Sequence, residues 1–214
     1  MEIIDQYASI ILPTSMLDAE QQMVICEYAA RNCYNSNDKA YEHSYEVFLP
    51  KLIASGHESP LEHSLMVAEI VTGRDVMAEL TRHRHAGFSV RSQRYVNEDG
   101  EGGIRFIRPT NWDQWNDLQR GNWEAGCANA EMAYRAMLGN GMKNQDARKA
   151  LPNSTATHII MSANLREWRH IFKLRTSKAA YPECRAVMTD LLEQAKILFP
   201  CVFEDIHPEG GIDR

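Results

Sequence analysis

Two apolar runs constrain this chain most. LMVAEIVTG (65–73) and ATHIIMSAN (156–164) have the β-branched, apolar character of buried strands, and they stand far apart in the sequence. Helical spacing surrounds them. Residues 20–34 read as one helix, EVFLPKLIASG (46–56) as a second closed by Gly56, and RDVMAELTRHR (74–84) as a third through Val76, Met77 and Leu80. Trp123, Cys127, Ala130, Tyr134 and Met137 recur at helical spacing and make 112–138 mostly helix. Pro182 opens an amphipathic helix through Val187, Leu191 and Ala195 to Leu198, halted by Pro200. Separated strands among helices, with few hairpin signals, indicate an α+β fold. The expectation is a single domain over 1–214 with a central, mostly antiparallel sheet and flanking helices.

Two helix starts are written as capping boxes. In SPLEH (59–63), Ser59 is the expected cap, Pro60 the first helical residue and Glu62 the reciprocal partner. Asn164 should cap LREWRHIFKLR, with Glu167 completing the pattern. NEDGEGGIRFIRP (97–109), rich in glycine and acid, reads as a mobile loop, and 86–103 is the segment expected to close over a ligand.

Bulk properties exclude several functions. A formal net charge of -6 argues against a general nucleic-acid binder, and no apolar run reaches membrane-spanning length. The N-terminus, with Glu2 and Asp5 and no basic segment, is a poor signal peptide. Five scattered cysteines without a CxxC pair read as reduced thiols, mostly buried, in a cytoplasmic protein. HESPLEH fits neither HExxH nor HxxEH, so no metal is expected; P-loop, Rossmann and GxSxG signatures are missing too.

Arginine remains. RHRHAGFSVRSQRY (82–95) sets Arg82, Arg84, Arg91 and Arg94 beside His83, His85, Ser89 and Ser92; Arg148, Arg166, Arg169 and Arg175 follow at joints between elements. The planar guanidinium pairs bidentately with phosphate or carboxylate and stays charged at any working pH. In an acidic chain this suggests a nucleotide-type ligand held by several arginines.

The same stretch carries a longer pattern. Arg82-His83-Arg84, seven residues and then Ser92 resembles the RHR-x7-S motif of flavin-dependent thymidylate synthases. RNCYNS (31–36), GHESPLEH (56–63) and LPNSTATHIIMSANLREWRHIFKLR (151–175) resemble that family's other blocks, in order and along nearly the whole chain. The resemblance implies reductive methylation of dUMP to dTMP. FAD is the implied cofactor, reduced by NADPH, and 5,10-methylenetetrahydrofolate the carbon donor, leaving tetrahydrofolate. It also implies a homotetramer with active sites at subunit interfaces.

By the same resemblance, Ser92, Gln93 and Arg94 hold the phosphate and sugar of dUMP, with Arg148 reaching in from a neighbouring subunit. Glu79 and Arg82 line the nucleotide pocket, and Arg175 sits against the pyrimidine. Ser59, Arg82, His83, Arg84, Asn164, Arg166 and His170 contact FAD, with Glu62 joining them. His57 lies near the flavin ring. Val90 stands where the family usually has Glu or Gln, Ala179-Ala180-Tyr181 where it usually has His-Ala and then Gln or Asp, and Cys33 where serine is common. These departures leave a rival reading, a flavoprotein oxidising NADPH without methyl transfer. A nucleic-acid-binding module is the other rival, weakened by the net charge.

Overall fold

The computed structural model describes residues 1–100 and 103–208. Four strands, β2 (Tyr7–Leu12), β3 (Met66–Gly73), β4 (Gly87–Val90) and β6 (Ala156–Ala163), form an antiparallel sheet in the order β2-β3-β6-β4. The α+β expectation holds. Both apolar runs are central strands; β3 buries every residue from Ile70 to Gly73, and β6 alternates buried Ile159, Met161 and Ala163 with half-buried His158, Ile160 and Ser162.

A second, two-stranded parallel sheet was not foreseen. It joins β1 (Glu2–Ile4) to β5 (Arg105–Ile107) with Ile3 opposite Phe106. β5 lies inside the segment expected to be a mobile loop, and Ile104 and Phe106 are fully buried there. Burial of two large apolar side chains outweighs the turn-forming composition around them. Glu101 and Gly102 of that segment lie outside the described residues.

The described residues gather into two compact units, one of Met1–Tyr7, Ile70–Arg82 and Ser89–Ile159, the other of Ala8–Glu69, His83–Phe88 and the chain from Ile160 onward. In the first unit, α3 (Arg74–Leu80) ends before the RHR triplet, which the spacing had placed on that helix. Thr81 caps it, its amide and its hydroxyl both donating to the Met77 carbonyl. α4 (Asp117–Gly139) packs Cys127 and Tyr134 against Ile104 and Phe106, and α5 (Asn144–Ala147) adds Ala147 to the same core. Trp112 meets Trp115 and Trp123 at ring-centroid distances of 5.8 and 5.5 Å, so these tryptophans serve packing.

α4 opens on the molecule's one full capping box among the described residues. Gln119 N–H donates to Asn116 Oδ1, and Asn116 N–H donates back to Gln119 Oε1, each at 2.9 Å. Replacing Asn116 with alanine is expected to cost about 1 kcal/mol, read as a lowered denaturation midpoint. An unchanged midpoint would mean that packing alone holds the start of α4.

The second unit is helical around its share of strand. α1 (Met16–Asn32) is capped by Ser15 and buries Ala19, Met23, Cys26 and Ala30 at helical spacing. α2 (Tyr45–Ala54) ends near Gly56, whose φ of +77° suits glycine. α6 (Leu165–Arg175) and the short α8 (Pro200–Phe203) share an aromatic core, and α7 (Pro182–Leu198) packs its apolar face against both. Trp168 stacks on Phe172 at 5.4 Å, Phe172 meets Phe203 edge-on, and Trp168 Nε1 donates to the Met66 carbonyl at 2.9 Å.

Candidate active site

In the second unit, β6 runs straight into a helix start. Asn164 leaves the strand in extended conformation, and its side chain accepts from Glu167 N–H at 2.8 Å, as expected of a cap. Glu167 does not complete a capping box; its carboxylate faces His83 Nδ1 at 3.5 Å. The periodicity of α6 then divides its residues. Leu165, Trp168, Ile171 and Phe172 are buried, while Arg166, Glu167 and His170 line a cleft of about 630 Å³. Glu58, Glu62 and His85 complete its wall.

The Ser59 cap is a correction. Residues Ser59–His63 form a 3₁₀ turn in which Ser59 is already the first helical residue, preceded by Glu58, whose side chain makes no capping bond. The tighter turn shifts the boundary by one residue. Glu62 turns outward to bond Arg166 instead of closing a box.

Three carboxylates line the cleft, yet each faces a donor. Glu62 pairs with Arg166, Glu58 with Arg169 at 3.1 Å and Lys173 at 3.6 Å, and Glu167 with the His83 ring. His83 is buried, lies edge-on to His170 at 5.8 Å, and accepts through Nε2 from Arg175 Nε at 3.0 Å. No lining carboxylate is therefore left unpaired, and a phosphate-bearing ligand reaching Arg166 would have to displace Glu62. Asn164, Arg166, His83 and His170 come together here, with Glu62 bonded to one of them. Arg82 and Arg84 are exposed in the turn around His83, and His57 and Ser59 are exposed outside the cleft lining.

His83, Glu167 and His170 also offer ligand atoms within 4.8 Å of one another. A cation bound at His83 Nδ1 would force the ring proton onto Nε2, against the donor Nε–H of Arg175. The arginine thus opposes a metal at this trio. Arg169, counted from sequence among the anion-binding arginines, is spent elsewhere: it is 1% exposed and bonded to Glu58, the Val202 carbonyl and both oxygens of Asp205.

The first unit holds the residues expected at the nucleotide other than Arg175. Ser92 begins a turn, its hydroxyl accepting from Arg94 N–H at 3.3 Å and its carbonyl from Val96 N–H at 3.0 Å. Gln145 ties two arginines together within the chain: Arg94 Nε donates to its side chain at 3.2 Å and Arg148 Nε to its carbonyl at 3.3 Å. Gln93 is buried, and its side-chain nitrogen has no partner among the described residues. A buried amide left so costs stability unless a ligand or water meets it. Glu79 is half-buried on α3 and Arg82 follows in the turn.

Sequence reasoning missed Arg74, Glu98 and the ion pairs they form. Buried Glu98 lies 3.9 Å from Arg74 and 3.8 Å from Arg91, and Arg74 also donates to the Arg91 carbonyl at 3.0 Å. Burial lowers the Arg74 guanidinium from its ordinary range; Glu98 opposes this, and Arg148 and Arg91 add to it. One signal was available. Arg74 is the first residue of α3, where the helix dipole disfavours a cation. Thiolate chemistry finds no support at buried Cys26 or half-buried Cys201, since burial pushes the first up to about 11 and the second up to about 12.

Comparison with known proteins points to one family. The family model described as thymidylate synthase complementing protein matches residues 15–201. A flavin-dependent thymidylate synthase of Geobacter sulfurreducens is 35% identical over 199 residues, covering 86% of this chain and 85% of that protein. One from Mycobacterium tuberculosis is 33% identical over 208 residues, covering 88% and 81%. Among solved structures, a UMP/dUMP methylase PolB from Streptomyces cacaoi bound with 5-Br dUMP superposes with a TM-score of 0.76 at 23% identity, over 95% of this chain and 96% of that one.

Proposed function

The chain belongs to the thymidylate synthase complementing protein family and is an enzyme of the flavin-dependent thymidylate synthase type, and we propose that it converts dUMP to dTMP with 5,10-methylenetetrahydrofolate as carbon donor and NADPH as the source of electrons. The observation that carries this reading is the family match from 15 to 201, whose bounds enclose every residue assigned below.

The residues have separate tasks. Arg94 and Arg148 carry the charge that meets the nucleotide phosphate, with Ser92 and Gln93 supplying hydroxyl and amide donors to phosphate and sugar. Glu79 and Arg82 complete that pocket. Arg175 faces the pyrimidine, where a fixed, desolvated cation favours negative charge developing on the ring. Asn164, Arg166, His83 and His170, with Ser59, Glu62, Arg82 and Arg84 around them, hold FAD, and His57 guides the second ligand at the flavin. When bound, the reduced flavin supplies the hydride that completes the methyl group; the protein orients the partners and excludes water.

We place the working enzyme in a homotetramer, with Arg148 serving a neighbouring copy. Leu17, Val24, Ile25 and Tyr28 on α1 are exposed, an apolar row suited to burial between copies. Light scattering should give four chains per particle, and Val24→Lys should lower that number. A monodisperse monomer that still makes dTMP would remove the shared-site arrangement.

The reaction itself is tested anaerobically. Protein loaded with FAD should lose its visible flavin absorbance on adding NADPH, at a rate that changes when dUMP is present, and should form dTMP once the folate is supplied. Bleaching without dTMP in the complete mixture would leave the NADPH-oxidising flavoprotein, and the synthase reading would fall.

A further inference from the structure

Three side chains of the second unit form a line that ligand contact alone does not explain. Glu167 faces the Nδ1 edge of His83 at 3.5 Å, and Arg175 donates through Nε to the opposite ring nitrogen at 3.0 Å. Only 3% of the His83 side chain and 12% of that of Glu167 is exposed, and Arg175 is buried.

A guanidinium has donors and no acceptor. Nε2 of His83 therefore presents its lone pair, and the single ring proton sits on Nδ1, toward Glu167. The other neutral tautomer would point two N–H groups at each other across this gap. A doubly protonated ring would add a second cation beside the guanidinium. The Glu167 carboxylate acts in the complementary sense, favouring a proton on the nitrogen that faces it. With little water between the groups, both preferences act with weak screening.

We propose that Glu167 is a positioning residue: it fixes the His83 proton on Nδ1, so that Nε2 is the standing acceptor that aims the Arg175 guanidinium. The proposal rests on the reading that Arg175 faces the pyrimidine. Glu167 touches no reacting atom in that scheme and acts through His83. Its carboxylate has no capping duty either: Asn164 caps α6 by accepting from the Glu167 backbone N–H, and the reciprocal bond from the Glu167 side chain to the Asn164 N–H is not made. Substituting its side chain leaves the start of α6 intact.

The test uses the full chain loaded with FAD and labelled with nitrogen-15 in its histidines, the His83 signals being assigned by difference from a His83→Gln variant. The unsubstituted protein should show the Nδ1–H pattern in long-range proton–nitrogen correlations. Glu167→Ala should shift His83 toward the Nε2–H pattern and lower kcat about tenfold, with KM for dUMP changing by less than about twofold. Glu167→Gln keeps an oxygen that accepts from Nδ1–H, and should restore the ring pattern and most of the rate. A ring protonated at Nε2 in the unsubstituted protein, or a pattern that Glu167→Ala leaves unmoved, overturns the proposal. A shifted ring with undiminished turnover keeps the link from Glu167 to His83 and overturns instead the assignment of Arg175 to the pyrimidine.

Discussion

Replacing Arg175 with lysine should lower dTMP turnover by about 10²-fold, with kcat and kcat/KM falling together. Arg175 ends α6, where the helix dipole favours a cation, so lysine is tolerated by the fold. The loss is one of geometry. The arginine spends Nε on His83 at 3.0 Å while its plane holds the terminal nitrogens in a fixed direction. Lysine has one ammonium, which either reaches His83 or lies elsewhere in the site, and its position is set by a flexible stem. An interaction made mainly in the transition state reduces both parameters equally, whereas a lost ground-state contact raises KM alone. Single-turnover dTMP formation beside a thermal melt reads both points. Turnover within about threefold of the unsubstituted rate would remove Arg175 from the chemistry.

Arg169→Ala should be the costliest single substitution for stability among the charged residues of α6, at about 3 kcal/mol. Arg169 is 1% exposed and joins α6 to Glu58, to the Val202 carbonyl of α8 and to Asp205 beyond it. Alanine leaves that carbonyl and two carboxylates without their shared donor; the partial exposure of Glu58 and Asp205 keeps the cost at the low end of the range for buried pairs. The pH dependence follows. Arg169 holds the Asp205 carboxyl below its ordinary value, chiefly by hydrogen bonding. This stabilisation is fully present above the ordinary aspartate range, about pH 4, and disappears as pH falls through the depressed value. Denaturation midpoints measured from pH 6 downward should drop more steeply for the unsubstituted chain than for Arg169→Ala. Parallel curves would mean that Asp205 gains nothing from the arginine.

The sequence disclosed the elements whose periodicity survives in three dimensions. α6 and α7 follow the spacing of Trp168, Ile171, Phe172, Val187 and Leu191, and β3 and β6 follow runs that are mostly apolar and β-branched. β1 and β2 were illegible because MEIIDQYASIIL alternates poorly: β2 mixes one buried residue with half-exposed ones, so neither period stands out. β5 was hidden by the glycines and acids around Ile104 and Phe106, whose burial is decided by α4 packing on them. In the site, the RHR stretch was visible as an excess of charge in an acidic chain. The division of labour among arginines was not. Charge type and spacing cannot tell Arg166, at the cleft, from Arg169, three residues on and consumed by Glu58 and Asp205. Nor could they show that Glu167 addresses an imidazole eighty-odd positions earlier, since that contact is made by tertiary packing.

If Arg166 meets the cofactor as proposed, the Glu62–Arg166 pair at the rim of the cleft, each side chain about half exposed, makes anion capture an exchange. An incoming anion must evict a tethered carboxylate of unit charge before it can claim the guanidinium. Monovalent solutes such as chloride or acetate compete at a disadvantage against a partner that never diffuses away. A group bearing two formal charges and several acceptor oxygens wins the same contest. The displaced Glu62 then turns to solvent with little penalty. On that reading Glu62 keeps the arginine occupied until a more highly charged group displaces it.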